Sequence, residues 1–190
     1  AQKDPKQEYK REAFELFEGL LQTVPQRGLQ IAHVDIRLIN NTFQLRMVLE
    51  REAAQRFCAS VSDADLQAIE DAHLDIIQRA QSGPVDDQLL SDATQVDWGL
   101  HDLMVDATGN DLISDAYRIN SLRVRLIRLE GASLNADALV PAMREHLWFI
   151  DALKQRDLQA VADRLAHHIN SAHRRVLGLP RPETPWLQPA

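Results

Sequence analysis

Along most of this chain apolar residues recur every three or four positions, the spacing of one buried helix face. The clearest run is VDWGLHDLMVDATGN, residues 96–110, where Leu100, Leu103, Met104 and Ala107 share a face and Gly109-Asn110 closes the segment. Upstream, INNTFQLRMVLEREAAQRFCAS (39–60) sets Leu45, Val48, Leu49, Ala53 and Phe57 on one stripe. SDADLQAIEDAHLDIIQRAQ (62–81) opens at Ser62 with Asp65 three residues on, a helix-capping pattern, and Gly83-Pro84 breaks it. Further helices are predicted from about 86, over 111–130 with an end at Gly131, over 135–155 and over 157–178. The last two carry the stripes Leu139, Met143, Leu147, Ile150, Leu153 and Leu158, Val161, Leu165, Ile169, Ala172. The pattern predicts an all-α fold, an antiparallel bundle of about six helices over residues 35–179 with short connections.

The two ends depart from this pattern. Residues 5–18 read as a helix with Tyr9, Ala13, Phe14 and Phe17 on one side, and Gly19 can end it. Two short strands then flank a turn at Pro25-Gln26-Arg27-Gly28. A helix and a two-stranded ribbon are too small to fold alone, and the chain opens on Ala1, so we expect a preceding part to be missing from this unit (1–34). The tail, 180–190, has four prolines and cannot be helical.

With 190 residues the chain has material for one core and a small appendage. Its formal net charge of −7 gives no bulk sign of nucleic-acid or membrane binding, so any DNA contact has to come from a local surface. No apolar run approaches the roughly 20 residues that cross a bilayer. The single cysteine, Cys58, excludes an internal disulfide and reads as a small core residue, which fits a cytoplasmic protein.

Histidines bring in chemistry. Asp97 and His101 lie one turn apart on one helix face. His146 sits three beyond Met143 and four before Ile150, and His168 three beyond Leu165, so both point inward. Asp163 and His167 repeat the Asp-x3-His spacing but read as a surface pair. Any one inward histidine is most simply a hydrogen-bonded core residue. Three of them with an aspartate, on three helices, would cost several kcal/mol to bury uncompensated, and a divalent cation removes that cost.

Asp97, His101, Gly109, Asn110 and Leu112, followed by Glu145, His146, Asp157, Ala160, His168 and Ile169, together resemble the FCD domain. That is the helical effector-binding half of FadR-type regulators in the GntR family. LRMVLEREAA in the first long helix resembles the same domain's opening, and the likeness runs over roughly 38–177. KREAFELFEGLLQTVPQRG resembles the end of the GntR winged helix-turn-helix, its recognition helix and wing, so residues 1–34 would be a partial winged domain. Lys10 and Arg11 would then face DNA from the helix, and Arg27-Gly28 from the wing tip. The resemblance leads us to expect further helices ahead of residue 1, and five acidic residues offset Lys3, Lys6, Lys10, Arg11 and Arg27.

The resemblance implies a divalent metal, zinc, nickel, manganese or iron, held by Asp97, His101, His146 and His168. It also implies a small carboxylate effector, for which Arg46 is the first candidate partner, then Asn110 and Arg123. The whole would be a homodimeric transcriptional regulator on a two-fold operator. The competing reading is an HD-type metal-dependent phosphohydrolase built on His101-Asp102 and His73. It leaves His146 and His168 unexplained.

Overall fold

The structure, a computed structural model, describes residues 21–24, 28–31, 33–128 and 136–182. Strand β1 (Leu21–Val24) pairs antiparallel with β2 (Gly28–Ile31) in the register Leu21↔Ile31 to Val24↔Gly28, as the turn signal predicts. Among the described residues six helices follow: α1 (Ile36–Ser60), α2 (Asp63–Ser82), α3 (Asp87–Asp106), α4 (Asp111–Ile127), α5 (Ala136–Lys154) and α6 (Leu158–Val176). The predicted helix at 5–18, its residues Lys10 and Arg11, the wing residue Arg27 and most of the proline-rich tail lie outside the described residues. Gly28 opens β2.

Five of the six helix starts are set by a short polar side chain that accepts an otherwise unpaired backbone N–H. Asp35 caps α1, Ser62 caps α2, Asp86 caps α3, Asn110 caps α4 and Asp157 caps α6. Ser62 also donates its hydroxyl to Asp65 Oδ2 at 2.6 Å, closing the pair predicted there. Between α3 and α4 the chain turns through Gly109 at φ +61°, a left-handed conformation that suits a residue without Cβ.

Two apolar clusters form the core. The larger joins Phe43, Phe57 and Cys58 of α1 to Leu100 and Met104 of α3, Phe149 and Ile150 of α5, and Leu165 and Ile169 of α6. The smaller joins Ile76 of α2, Leu89 and Ala93 of α3, and Leu139 and Met143 of α5. On α3 the segment 97–101 falls between residues of the two clusters, and on α5 so does His146.

The first long helix departs from the stripe read in its sequence. Val48 is 64% exposed, and Leu45 and Leu49 are only half-buried. The inner face belongs instead to Thr42, Phe43, Arg46, Glu50, Ala53, Ala54, Phe57 and Cys58. A periodicity count assigns charged residues to the outside, but Arg46 and Glu50 satisfy each other across one turn and so can be buried. Leu103 and Leu158, counted with the core stripes, are each 50% exposed.

Candidate metal centre

Helices α3, α5 and α6 bring Asp97, His101, His146 and His168 to one point. All four are buried at 1% exposure. One ligand atom from each lies within 4.8 Å of all the others. The protonation of the three rings follows from what stands behind them. His73 Nδ1 lies 2.7 Å from the Ile69 carbonyl, which only accepts, so Nδ1 carries the proton and Nε2 its lone pair. That Nε2, at 2.9 Å, accepts from His146 Nδ1. Arg46 can only donate, and its Nη2 lies 2.9 Å from His101 Nε2, so His101 carries its proton on Nδ1, 2.8 Å from Glu50 Oε2 but not aligned as a hydrogen bond. His168 Nδ1 donates to Glu145 Oε2 at 3.0 Å.

All three rings therefore carry the proton on Nδ1, facing outward, and turn an Nε2 lone pair inward. His146 Nε2 and His168 Nε2 stand 3.1 Å apart, and with no proton on either this contact is no hydrogen bond. Two imidazole nitrogens bound at right angles to one ion at about 2.1 Å stand about 3.0 Å apart. Asp97 Oδ1, 3.6 Å from His146 Nε2, is buried without a hydrogen-bond partner. The residues present fit a divalent cation in donor type, protonation and spacing. Carboxylate or imidazole groups behind each ring are the outer partners that orient metal-binding histidines.

Electrostatics point the same way. Burial, reinforced by His168, holds the His146 ring well below the usual imidazole range; burial, His101 and Arg46 do the same for His168. For Asp97 burial pushes the carboxyl up, but the Arg128 guanidinium, first among its charged neighbours, outweighs it and keeps it well below the carboxylate range. Neutral imidazoles and an anionic carboxylate are the forms that bind metal.

Of the effector candidates, Arg46 is at the centre. Its Nε donates to Glu50 Oε1 at 2.6 Å and its Nη2 to His101 Nε2 at 2.9 Å, while Nη1 is buried without a partner. Thr42 Oγ1 and Asn120 Oδ1, also buried and without partners, lie along the same α1–α4 seam, where Asn120 Nδ2 donates to the Thr42 carbonyl at 3.0 Å. The Tyr117 hydroxyl faces the Asp102 carboxylate there without closing a well-aligned hydrogen bond. Asn110 is elsewhere: exposed, its Oδ1 accepts from the Leu112 and Ile113 amides. Arg128, at the C-terminal cap of α4, reaches the centre, donating from Nη1 to Asp97 Oδ2 at 3.1 Å while lying over the Trp98 ring.

Asp102 is not among the residues drawn together, and it borders a surface recess with Trp98, Gly99 and Arg125. His73 stands behind His146 and not beside the His101-Asp102 pair. Asp163 is exposed and accepts from Gln159, while His167 packs edge-on against Trp148.

Glu50, His73, Asn120, Arg128 and Glu145 were not singled out as parts of this centre by sequence. The available signal was spacing: Glu50 is one turn from Arg46, and Glu145 adjoins His146.

The sequence profile of the FCD domain matches residues 41–171. The HTH-type transcriptional repressor RspR of Escherichia coli K12 is 25% identical over 182 residues, covering 93% of this chain and 76% of that protein. The metal-free and Zn2+-bound structures of the FCD domain of TM0439 superpose with TM-scores of 0.63 and 0.62 at 22% and 23% identity, each covering 77% of this chain and 96% of theirs. E. coli McbR/YncC superposes with a TM-score of 0.68 at 15% identity, covering 89% of this chain and 78% of that one. A separate likeness is short: the SecA translocase subunit of Chromohalobacter salexigens is 49% identical over 59 residues, 28% of this chain. The chain spans only 6% of that subunit's length. No described helix is long and apolar enough to cross a membrane. With the profile covering most of the chain and the six-helix fold in place, the chain belongs to the FCD domain family.

Proposed function

We propose that the helical domain is a metal-dependent sensor of a small organic acid, and that its occupancy controls how a homodimer of this cytoplasmic regulator holds its operator. The observation that carries this reading is the convergence of three inward Nε2 lone pairs with the unpartnered Asp97 Oδ1. Asp97, His101, His146 and His168 would hold zinc, nickel, manganese or iron. The bound ion supplies Lewis acidity, and four protein ligands leave an octahedral ion two positions that a carboxylate can fill. Arg46, with Nη1 unused, is placed to pair with that carboxylate. The Zn2+-bound domain of TM0439 and the repressor RspR support the metal and the regulatory role by likeness.

DNA contact is assigned to Lys10, Arg11, Arg27 and Gly28, on the resemblance of that segment to a recognition helix and wing. A ligand shifts such a dimer only by its differential affinity for two states, so a 100-fold change in operator affinity needs about 2.7 kcal/mol.

Elemental analysis of the purified protein, paired with a thermal-shift screen of organic acids, tests the sensor. One metal per chain and stabilisation growing as RT ln(1 + [L]/Kd) are expected. Metal at wild-type content in the His146→Ala/His168→Ala double variant would defeat the ligand assignment.

A further inference from the structure

One lone pair in the centre has two claimants. His101 Nδ1 carries the ring's proton and packs 2.8 Å from Glu50 Oε2, so Nε2 is the nitrogen with which this ring would ligate an ion. That same Nε2 accepts from Arg46 Nη2 at 2.9 Å. A guanidinium is always protonated and only donates, so Arg46 and a cation exclude each other on this atom. We propose that Arg46 is a handover residue: it holds His101 Nε2 until that nitrogen ligates a cation, and the guanidinium edge so released takes the effector's carboxylate. Acid binding then depends on metal, and the two are positively coupled. The inference rests on the sensor reading above and adds its order of events.

The side chain is built for this exchange. Nε stays anchored on Glu50 Oε1 at 2.6 Å, so the head keeps its place when Nη2 is released. Nη1 already lacks a partner, and Nη1 with Nη2 forms the two-pronged edge that matches a carboxylate. Charge balance favours the same sequence. The carboxyl groups Asp97, Glu50 and Glu145 are already matched by Arg46, Arg128, Arg175 and Arg181, so a divalent ion leaves an excess of positive charge that an anion offsets. The partnerless Thr42 Oγ1 and Asn120 Oδ1 make the seam beside Arg46 polar, suited to an acid and not to a hydrocarbon tail.

The test uses the full chain with Zn2+ and acetate as probes. NMR of the arginine side chains follows the Arg46 Nη protons through a Zn2+ titration and then an acetate titration. The expected result is a slowly exchanging Nη2 proton in metal-free protein that is lost at one equivalent of Zn2+ and protected again by acetate. Acetate binds at least tenfold more tightly to the Zn2+-loaded protein. In Arg46→Gln, Zn2+ still binds but this coupling falls to within twofold. Coupling of wild-type size in Arg46→Gln, or Arg46 signals that ignore Zn2+, overturns the handover and leaves the sensor standing. If wild-type protein takes up no Zn2+, the sensor reading falls and the handover with it. Should Arg46→Gln not fold because Glu50 loses its partner, the wild-type titration decides alone.

Discussion

His73 Nε2 accepts the Nδ1 proton of His146 at 2.9 Å, so one buried histidine fixes which nitrogen of another faces the centre. His73 is itself locked by the Ile69 carbonyl one turn back on α2. Replacing it with leucine removes the acceptor and frees the His146 ring to take the other tautomer. Loss of such an outer partner weakens metal binding about 10–100-fold. Chelator-competition titrations of His73→Leu should read that loss. His73→Gln, whose side-chain oxygen can still accept, should recover most of the affinity. Equal affinity for wild type and His73→Leu would remove His73 from the centre.

Glu50 is fully buried between Arg46 and His101. Burial pushes its carboxyl up, but Arg46 and His101 outweigh this and lower it to about 2. Glu50→Gln leaves the Arg46 charge buried and unpaired, which costs about 3–5 kcal/mol; urea unfolding measures it. A carboxylate with a lowered folded-state pKa stabilises fully above its unfolded value and loses that contribution as pH falls through the folded one. The difference between wild type and Glu50→Gln should therefore hold constant above about pH 4.5 and shrink towards pH 2. A difference that vanishes near pH 6 would mean that Glu50 is not charged in the folded protein.

These residues mark what a sequence can and cannot display. His146 and His168 were legible because each interrupts a stripe of apolar residues at helical spacing, and a polar residue inside such a stripe is informative. The helix count was legible for the same reason, aided by the cap at Ser62 and the breaks at Gly83-Pro84 and Gly131. Arg46 and Glu50 misled the reading of α1, because burying both is tolerable only when they pair, and pairing is a property of side-chain geometry. His73 and Arg128 were illegible as members of the centre for another reason. Their partners, His146 and Asp97, are 73 and 31 residues away, and single-helix periodicity carries no information about contacts across helices.

Asn110 illustrates how a motif residue can serve the fold. Its Oδ1 is taken up by the amides of Leu112 and Ile113 at 3.0 and 3.3 Å, at the exposed start of α4. Asn110→Ala should cost about 1 kcal/mol, the usual worth of an N-cap, in thermal or urea unfolding. Zn2+ and acid affinities should stay within twofold of wild type. A selective loss of acid binding with stability unchanged would return Asn110 to the effector site.

Arg128 and Asp97 give a prediction whose sign separates a metal centre from an ordinary buried ion pair. Arg128 donates to Asp97 Oδ2 at 3.1 Å, and Asp97 is 1% exposed, so Arg128 is the cation that makes the buried carboxylate tolerable. Arg128→Gln leaves Asp97 charged without that neighbour, a loss of about 3 kcal/mol for a largely buried pair. If the centre has no affinity for metal, the variant stays destabilised whatever ions are added. If Asp97 Oδ1 is a ligand atom, a divalent ion supplies the missing positive charge, and part of the loss is recovered on loading. The metal-induced rise in melting temperature should then be larger in Arg128→Gln than in wild type. Differential scanning fluorimetry with and without one equivalent of Zn2+ reads both quantities in one experiment. An equal or smaller rise in the variant would show that Asp97 does not face the ion.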